Sequence, residues 1–454
     1  MDTLKVRISP LIKDNSKEFA SLFDTQKWGS LQRFNTQTLN TRGIANEPVK
    51  LEREMAFKLS AFDILHFDSI EVVSTSGGAF HQGKIIQENT AGFGAHNFVH
   101  KNYNDFKRLS RRFFIPLNWA EAKQSIKVLL SVIFGGETRR LQDSNPKILY
   151  HSPNWDCFSH FSFEEFPRLL ATLKAFHARN IQIGGGKIGK GGENSQDSTQ
   201  NPTLFPQNFS NPIDFNQLYI IAPIRHSWQF SQYIYPALLS LTKEHNPHCP
   251  FAIKKSNIIC VNNAKIPQKS VIKAKNVFIP TPVKCNAKYL KDAMDFLREF
   301  YYDENFSQGV ERIYISRQKS AKRFLVNEAE VRELLERKYG FKTLFMEDVS
   351  FKDKINFLSR ASVLLSVDGT SIMNYGYMQK GKAIALRPFN MAEYPIDSIF
   401  GVEFLPVICE IDKATQKDTN HLDGYVGTWW ASNLIVDIAY LEDRLKEYGI
   451  SPIN

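Results

Sequence analysis

The chain has 454 residues, 43% of them hydrophobic and 23% charged, which is enough for two or three folded domains of about 150 residues each. Its formal net charge of +10 (57 Lys and Arg against 47 Asp and Glu) indicates affinity for anions, whether nucleic acid, anionic lipid or a nucleotide-linked substrate. Five scattered cysteines without a C-x-x-C pair, no apolar run near ~18 residues and no signal-peptide core predict a cytoplasmic chain with reduced thiols, without a zinc site or a membrane span.

The first half of the chain alternates short β-like runs with helical patterns. Between residues 70 and 86, runs such as IEVVS and GKII predict a small strand-rich N-terminal portion. Buried strands are then predicted at 147–150, 217–222 and 256–261, with helices between them at 160–179 and 231–243. The first of these helices has one apolar face, made of Phe166, Leu169, Leu170, Leu173 and Phe176.

A stretch rich in Gly, Ser, Asn and Gln, about residues 184–212, interrupts this alternation. Its composition predicts a mobile surface insertion. A phosphate-binding loop is the alternative for the run from Gly184 to Gly189. We favour the insertion because no Gly-Lys-Ser/Thr triplet follows the run and no strong helix begins after it.

A strand predicted at 276–280 and a helix predicted at 287–300 form the bridge to the second half, which repeats a β-α-β pattern. Its strands are predicted at 312–316, 342–346, 363–367 and 383–386. Its helices are predicted at 328–338, 351–360 and 370–379. Asn327 followed by Glu330 is typical of a capping box that fixes the start of the first of these three helices. Repeated units of this kind predict a parallel sheet with right-handed crossovers.

These patterns predict an α/β protein of two halves joined near residue 285. The first domain is expected to take residues 1–285, insertion included, and the second residues 286–400. Residues 401–454 are expected to form a C-terminal extension that packs back on the core, because the stretch 433–447 is amphipathic.

A first group of candidate functional residues surrounds the sequence HFSFEEFPRLL, and it consists of Asn154, His160, Glu164, Glu165 and Arg168. His160 and Glu164 are four residues apart, so on a helix they share a face, as a general base and its orienting partner would. Acidic residues favoured by the helix macrodipole are the alternative. Pro167 is tolerated only in a first turn or at a kink, so it predicts an irregular joint here.

The loop after the predicted strand at 312–316 carries four cations: Arg317, Lys319, Lys322 and Arg323. An Arg at the carboxyl end of a strand can give bidentate hydrogen bonds to a phosphate. A solvated basic loop is the alternative, and the position at a strand end favours a functional role. Glu347, at the end of the next strand, can bind hydroxyl groups or simply be exposed.

The strand VLLSV runs into Asp368-Gly369-Thr370-Ser371, and Asn374 follows shortly after. Gly369 allows a ligand to approach the backbone closely, and the amides and hydroxyls of Thr370 and Ser371 can bind an anion. Asp368 is expected to contact a sugar hydroxyl or to cap a helix. Cations and a helix N-terminus at one edge of a parallel sheet are typical of a site for a phosphate-bearing ligand.

Together these motifs resemble glycosyltransferase family 61 over about residues 145–390. The family's pattern N-x-x-H-F-x-x-E-x-x-P-R-L is matched, with Asn154 at looser spacing, by His160, Phe161, Glu164, Pro167, Arg168 and Leu169. Its C-terminal pattern is matched by Ser316, Arg317, Arg323, Asn327, Glu328, Glu347, Ser350, Phe351, Gly369, Asn374 and Met378. Two positions depart from it: Asp368 replaces the usual His before Gly, and Lys354 replaces a usual Gln.

The resemblance implies a GT-B architecture, in which an acceptor-side N-terminal domain and a nucleotide-sugar-binding C-terminal domain, both Rossmann-like, face a cleft. It implies inverting transfer of a sugar from a nucleotide donor, which we expect to be UDP-linked, without a cofactor or an essential metal. The chain contains no D-x-D sequence, in keeping with this. By analogy Glu164 is the base with His160 beside it, and Asn154 and Arg168 lie on the acceptor side.

The other matched positions are expected at the donor. Arg317 and Arg323 would offset the charge of the leaving diphosphate, helped by the amides after Gly369. The donor site is expected to be completed by Lys322, Asn327, Glu347, Asp368, Thr370, Ser371 and Asn374.

Bacterial members of the family resemble enzymes that build capsule or lipopolysaccharide. A glycan or glycolipid acceptor and peripheral contact with the inner face of the membrane are therefore expected. Two alternatives stay open: a non-catalytic nucleotide- or glycan-binding homologue, suggested by Asp368, and a GT-B-type transferase of another group such as pyruvate. A nucleic-acid binder is disfavoured, because the chain lacks RNP-like aromatics, a helix-turn-helix signature and zinc-finger spacing.

Overall fold

The computed structural model describes residues 64–73, 79–81, 84–85, 138–152, 157–185, 212–251, 253–262, 271–281, 287–320, 323–388, 401–414 and 432–453. These residues fall into two compact units, one that ends at Ala293 and one that begins at Met294. Asn154, Lys322 and most of the predicted insertion at 184–212 lie outside the described residues.

Among the described residues, the first unit carries an eight-stranded sheet. Its strands are β1 (Ile64–Val73), β2 (Ala79–His81), β3 (Lys84–Ile85), β4 (Thr138–Leu141), β5 (Lys147–Leu149), β6 (Tyr219–Ala222), β7 (Ile258–Cys260) and β8 (Val271–Pro280). They lie in the order β3-β2-β1-β8-β5-β6-β7, and β4 also pairs with β8. The first three strands pair antiparallel, so the predicted strand-rich N-terminal portion forms one edge of this sheet.

The parallel part of this sheet has the strand order of a Rossmann-type half. β6 and β7 are added on one side of β5, and β8 returns to its other side. The strand order therefore reverses between β5 and β8. In open α/β sheets, the crevice for ligands lies at such a switch point, outside the carboxyl ends of the strands. His151 and Ser152 follow β5 at that edge.

A long helical segment begins shortly after β5. It starts as α1 (Phe158–His160), passes through a π-helical turn (Phe161–Glu165) and continues as α2 (Phe166–Gly185). The five apolar residues predicted to share a face are all buried, which confirms the helix and its apolar side. The helix predicted at 231–243 is shorter than expected and ends at Leu239. It consists of a π-helical turn (Phe230–Ile234) and α3 (Tyr235–Leu239).

The second unit follows helix α4 (Ala287–Tyr301), which contains the boundary between the units. In chain order its elements are β9 (Arg312–Ile315), α5 (Glu328–Glu333) with a π-helical turn (Leu334–Lys338), β10 (Lys342–Leu344), α6 (Phe351–Arg360), β11 (Val363–Val367), a 3-10 helix (Ile372–Tyr377), β12 (Gly381–Pro388), β13 (Val402–Ile411), β14 (Leu434–Ile435) and α7 (Ile438–Glu447).

The second sheet has the order β10-β9-β11-β12-β13-β14. The first five of these strands are parallel, which confirms the prediction, and β14 is antiparallel to β13. This is a doubly wound order in which β9 and β11 are neighbours, with β10 on the outer side of β9. The switch point therefore lies between the carboxyl ends of β9 and β11.

Two local predictions in the second unit were wrong. The helix predicted at 370–379 is a short 3-10 helix (Ile372–Tyr377), since β12 begins at Gly381 and leaves little room for regular turns. The helix after Asn327 begins where predicted, but its N-cap side chain makes no capping bond. Instead Asn327 pairs with both backbone groups of Val436, at 2.8 and 3.0 Å. The side chain of Asn327 therefore bonds the backbone of the C-terminal segment and not the N-terminus of its own helix.

The C-terminal stretch belongs to the core of the second unit. Side chains from β9, α5, β11 and β12 pack in one cluster with Leu434, Val436, Leu441, Leu445 and Ile450. Pairing of β13 with β12 joins residues 402–409 to the sheet. Within the described part of the chain, no helix has the length and apolarity needed to cross a membrane.

Candidate active site

The irregular joint predicted at Pro167 is a π-helical turn. In this turn the N–H of Phe166 bonds the carbonyl of Phe161, five residues earlier instead of four. Pro167 has no N–H to donate, so a regular α-helical bond cannot form at the next position. Turns of this kind are frequent at functional sites. Glu164 lies inside the turn and His160 directly before it.

His160 and Glu164 form an ion pair, which confirms the contact predicted from their spacing. Nδ1 of His160 lies 3.1 Å from Oε2 of Glu164, and their side chains are 26% and 9% exposed. Burial lowers the pKa of His160, but the hydrogen bond and charge of Glu164, with help from Cys157 and Glu165, raise it to about 9 overall. At neutral pH the imidazole is therefore positively charged, and its Nδ1–H donates a hydrogen bond to the carboxylate of Glu164.

Cys157 precedes this pair and was missed by sequence reasoning. Its Sγ lies 3.1 Å from Oγ of Ser159, and the residue is half-buried. Burial raises the pKa of the thiol, but His160 and hydrogen bonds from Ser159 and His160 bring it below its ordinary value. Cys157 stands three residues before His160, at the Asn of the N-x-x-H pattern, and that substitution was the signal for it.

Glu165 and Arg168 fix the π-helical turn in place. Nη2 of Arg168 lies 2.5 Å from Oε2 of Glu165, and Ser152 donates to Oε1 at 2.6 Å. Arg168 also donates to the carbonyl of Pro280 at 3.5 Å. Burial raises the pKa of Glu165, against the effects of Arg168 and Ser152. Because Ser152 follows β5 and Pro280 ends β8, these bonds hold the turn at the switch point of the first sheet.

In the second unit, Arg317 crosses the switch point between β9 and β11. Its Nη1 donates to Oγ of Ser371, in the loop after β11, at 2.8 Å. Its Nε donates to the carbonyl of Arg323 at 3.0 Å. The predicted convergence of the two loops at one sheet edge is therefore confirmed. The planar guanidinium is therefore held at the sheet edge where the sequence predicts a phosphate-bearing ligand.

Arg323 lies against Gly369, and the backbone of both residues is in the left-handed region. Their φ angles are 57° and 126°. A Cβ on Gly369 would lie 2.9 Å from Cζ of Arg323, so a side chain at this position would displace the guanidinium. Arg317 and Arg323 are 8% and 7% exposed. Two buried guanidinium groups therefore lie at one glycine turn, the position at which the sequence predicts contact with a diphosphate.

A comparison with protein-family models identifies the class of this protein. The family described as "Glycosyltransferase 61" matches residues 158–385, which is half of the chain. The matched range includes both the π-helical turn and the two buried arginines. The chain belongs to glycosyltransferase family 61. Curated proteins yield no match.

A glycosyltransferase of this family takes a sugar from a nucleotide-sugar donor and passes it to a glycan acceptor. Asp368, where the family pattern has His, is bound by a residue that sequence reasoning missed. Nε and Nη2 of Arg387 lie 2.8 and 2.7 Å from Oδ2 of Asp368. The two side chains are 4% and 6% exposed, and the guanidinium also lies 5.2 Å from the ring of Phe404. Arg387 thus compensates the negative charge that this glycosyltransferase carries in place of the His.

Asn374 carries a buried hydrogen-bond acceptor and is bonded to Ser371, the residue that Arg317 contacts. It is 3% exposed, and its Nδ2 donates to the carbonyl of Ser371 at 2.8 Å. Its buried Oδ1 has no hydrogen-bond partner among the described residues. Because an unsatisfied buried acceptor costs about 1–3 kcal/mol, a ligand hydroxyl or amide that reached it would be favoured.

The remaining predicted donor-side residues that the structure describes are Glu347, Thr370 and Asn327. Glu347 is exposed, and Thr370 is half-buried. Lys354, which replaces the family's Gln, is 4% exposed; burial lowers its pKa to about 8 against the opposite effect of Glu347. Asn327 is engaged by Val436, so its donor contact stays a prediction. Across the part of the chain that is described, no three His, Cys, Asp or Glu residues are grouped to hold a metal ion.

Proposed function

We propose that this chain is an inverting, metal-independent glycosyltransferase that moves a sugar from a UDP-linked donor to a glycan or glycolipid acceptor. The observation that carries the proposal is the bridge from Arg317 to Ser371 across the switch point, with Arg323 against Gly369. Two permanent positive charges beside a glycine turn suit a diphosphate.

The arginines supply the stabilisation of the leaving group. As the bond between the sugar and the diphosphate breaks, negative charge grows on the phosphate oxygens. Arg317 and Arg323 offset that charge, together with Lys322 and the amides after Gly369. Hydroxyl groups of the donor are bound by Asn374, Asp368, Thr370 and Glu347.

Glu164 is the base in this proposal. Because His160 is protonated up to about pH 9, the carboxylate rather than the imidazole accepts the proton of the acceptor hydroxyl. The freed oxygen attacks the anomeric carbon opposite the leaving group. The bond to the diphosphate oxygen breaks with its electron pair, and the configuration inverts. His160 orients the carboxylate, and Arg168 positions the turn through Glu165.

A GT-B arrangement, in which residues of both units act on one donor and one acceptor, belongs to the proposal. It is supported by the Rossmann-type strand order of each unit, with candidate residues at each switch point. The net charge of +10 supports work at the anionic inner face of a bacterial membrane, in capsule or lipopolysaccharide synthesis.

A thermal-shift screen with UDP, GDP, CMP and their sugars tests the donor assignment. At 100 times its Kd a bound nucleotide stabilises the fold by ~2.7 kcal/mol, so UDP is expected to raise Tm. Arg317→Met is expected to remove that shift, and Arg140→Met, an exposed residue of the first unit, to keep it. No shift with any nucleotide, or an unchanged shift in Arg317→Met, would contradict the assignment.

A non-catalytic nucleotide- or glycan-binding homologue is the second candidate. It is favoured by the Asp368–Arg387 pair, which occupies the place of the family's His. Tight donor binding by the wild-type protein with neither transfer nor donor hydrolysis would support this candidate.

A further inference from the structure

The loop after β6 presents an exposed tryptophan on a fixed backbone. Trp228 is 49% exposed, unusual for a side chain of its size. Oγ of Ser227 accepts the N–H of Phe230 at 3.0 Å and donates to the carbonyl of Ile224, also at 3.0 Å. The N–H of Arg225 bonds the carbonyl of Asn262, just after β7, at 3.0 Å. The ring therefore projects from an ordered turn at the carboxyl edge of the parallel strands.

One buried ring connects Trp228 to the π-helical turn that holds Glu164. Trp228 meets Tyr233 edge-on, with ring centroids 6.4 Å apart. Tyr233 in turn packs against Phe158 at 5.2 Å and Phe161 at 4.8 Å. These two phenylalanines flank His160 in the chain. The exposed ring thus lies on the same side of the unit as the candidate base, and within the same packed cluster.

A cationic side chain belongs to the same turn as this ring. Arg225 lies three residues before Trp228, and both residues are exposed. Arg139 reaches the end of β7, where it donates to the carbonyl of Cys260 at 3.4 Å. Burial raises the pKa of the Cys260 thiol to about 12, and the charges of Arg225 and Arg139 act against this increase. The turn that carries Trp228 therefore carries an exposed cation as well as an exposed aromatic ring.

We propose that Trp228 and Arg225 form a subsite that binds an acidic pyranose of the acceptor glycan. The C–H face of the sugar lies on the indole, whose π face is negative, and the carboxylate or phosphate of the sugar pairs with Arg225. This inference rests on the proposed function, because it assigns the acceptor for the base at Glu164. It adds a chemical class, a negatively charged sugar, that the family does not specify.

Binding of three matched glycosides tests the subsite without any turnover. Methyl glucuronide, methyl glucoside 6-phosphate and methyl glucoside are titrated against the full-length protein by saturation-transfer NMR. The wild-type protein is expected to bind an acidic glycoside at least ~10-fold more tightly than the neutral one. Trp228→Ala is expected to weaken all three by ~10-fold, and Arg225→Gln to remove only the acidic preference.

Two exposed residues serve as controls, since Ile181→Ala and Arg140→Gln are expected to change nothing. If methyl glucuronide binds more tightly than the 6-phosphate, the ligand carries a carboxylate. If the 6-phosphate binds more tightly, the ligand is a phosphorylated sugar. The subsite is overturned if no glycoside binds saturably, if the neutral glycoside binds as tightly as both acidic ones, or if Trp228→Ala binds like the wild-type protein. Failure of the proposed function is a separate result, because it is seen as the absence of a nucleotide thermal shift.

Discussion

At the scale of single residues, Glu164 holds His160 in its protonated form. Its pKa is raised from 6.5 to about 9 because Glu164 outweighs burial. A group whose pKa is raised on folding stabilises the folded state fully below its unfolded pKa. That contribution is lost as the pH rises through the folded pKa. His160 therefore stabilises the fold below about pH 6.5, and the effect disappears between that value and about pH 9.

Proton NMR of the imidazole provides the measurement. The His160 signal is expected to titrate near pH 9 in the wild-type protein. In Glu164→Gln the midpoint should fall by about one unit or more, since burial then dominates. The decrease in the free energy of unfolding between pH 6.5 and 9 should be smaller in this variant than in the wild-type protein, by roughly 1–3 kcal/mol. His245, which contacts Thr242 and no carboxylate in its described hydrogen bond, is the internal control. A midpoint near 6.5 in both proteins would contradict the ion pair.

The lowered pKa of Cys157 gives a second residue-scale prediction. At pH 7 iodoacetamide is expected to alkylate Cys157 well before Cys249, Cys260 and Cys409, which are buried. His160→Gln should slow that reaction at pH 7 and leave it unchanged at pH 10, where the thiol ionises without help. Mass spectrometry of the modified peptides reports the order. Equal rates for Cys157 at pH 7 in the wild-type protein and in His160→Gln would show that the imidazole has no effect on the thiol.

Residue contacts could be predicted from the sequence only where the chain is locally regular. The His160–Glu164 pair follows from a helical spacing of four. Arg387 binds Asp368 across two strands and 19 residues of chain, so its partner is visible only once β11 and β12 are known to be neighbours. Likewise, Asn327 was assigned to its own helix because Val436, its partner, is distant in sequence.

At the scale of elements, the turn after β11 depends on the absence of a side chain at Gly369. Gly369→Ala is expected to push Arg323 away and to impose left-handed backbone strain, at about 1–3 kcal/mol for the strain alone. The UDP-dependent thermal shift should be lost. Gly401→Ala is the matched control, because Gly401 has φ of 70° with no atom within 4 Å of its missing Cβ. Equal effects of the two changes would mean that the contact with Arg323 is unimportant.

Arg387 and Asp368 join the ends of β11 and β12, and their coupling can be measured by chemical denaturation. Asp368→Asn and Arg387→Met are each expected to cost about 3–5 kcal/mol, because each leaves a buried charge without its partner. The free energy of unfolding lost in the double variant should be smaller than the sum of the two single losses. The solvent-screened pair Lys352–Asp303 should show a much smaller coupling. Additive losses for Asp368 and Arg387 would contradict a buried ion pair.

Elements with a clear periodicity were predicted well, and irregular ones were not. Helix α6 and strand β11 begin and end at the predicted residues, since each has a strong pattern and a distinct boundary. Pro167 indicated an irregular joint but not its form. Whether the chain makes a kink or a π-helical turn there depends on how Glu165 and Arg168 are held by Ser152 and Pro280, which are distant in sequence.

At the scale of the whole molecule, each unit carries its candidate residues at the point where its own strand order reverses. Alternating strands and helices predicted parallel sheets. They did not predict which strands would be neighbours, because strand order is set by packing between segments far apart in the chain. The order fixes the edge at which Arg317 meets Ser371, and likewise where Arg168 meets Pro280. Family membership then supplies the reaction class that these edges serve.

A transfer assay with stereochemical analysis tests whether Glu164 is the base of an inverting transfer. The nucleotide sugar found by thermal shift is incubated with an acidic acceptor, and the product linkage is determined by NMR. The wild-type protein should yield inverted product. Glu164→Gln should lower kcat by about 10²–10⁴-fold and keep the nucleotide-dependent thermal shift. Product with retained configuration would contradict an inverting transfer, and a Glu164→Gln variant that transfers at the wild-type rate would show that Glu164 is not the base.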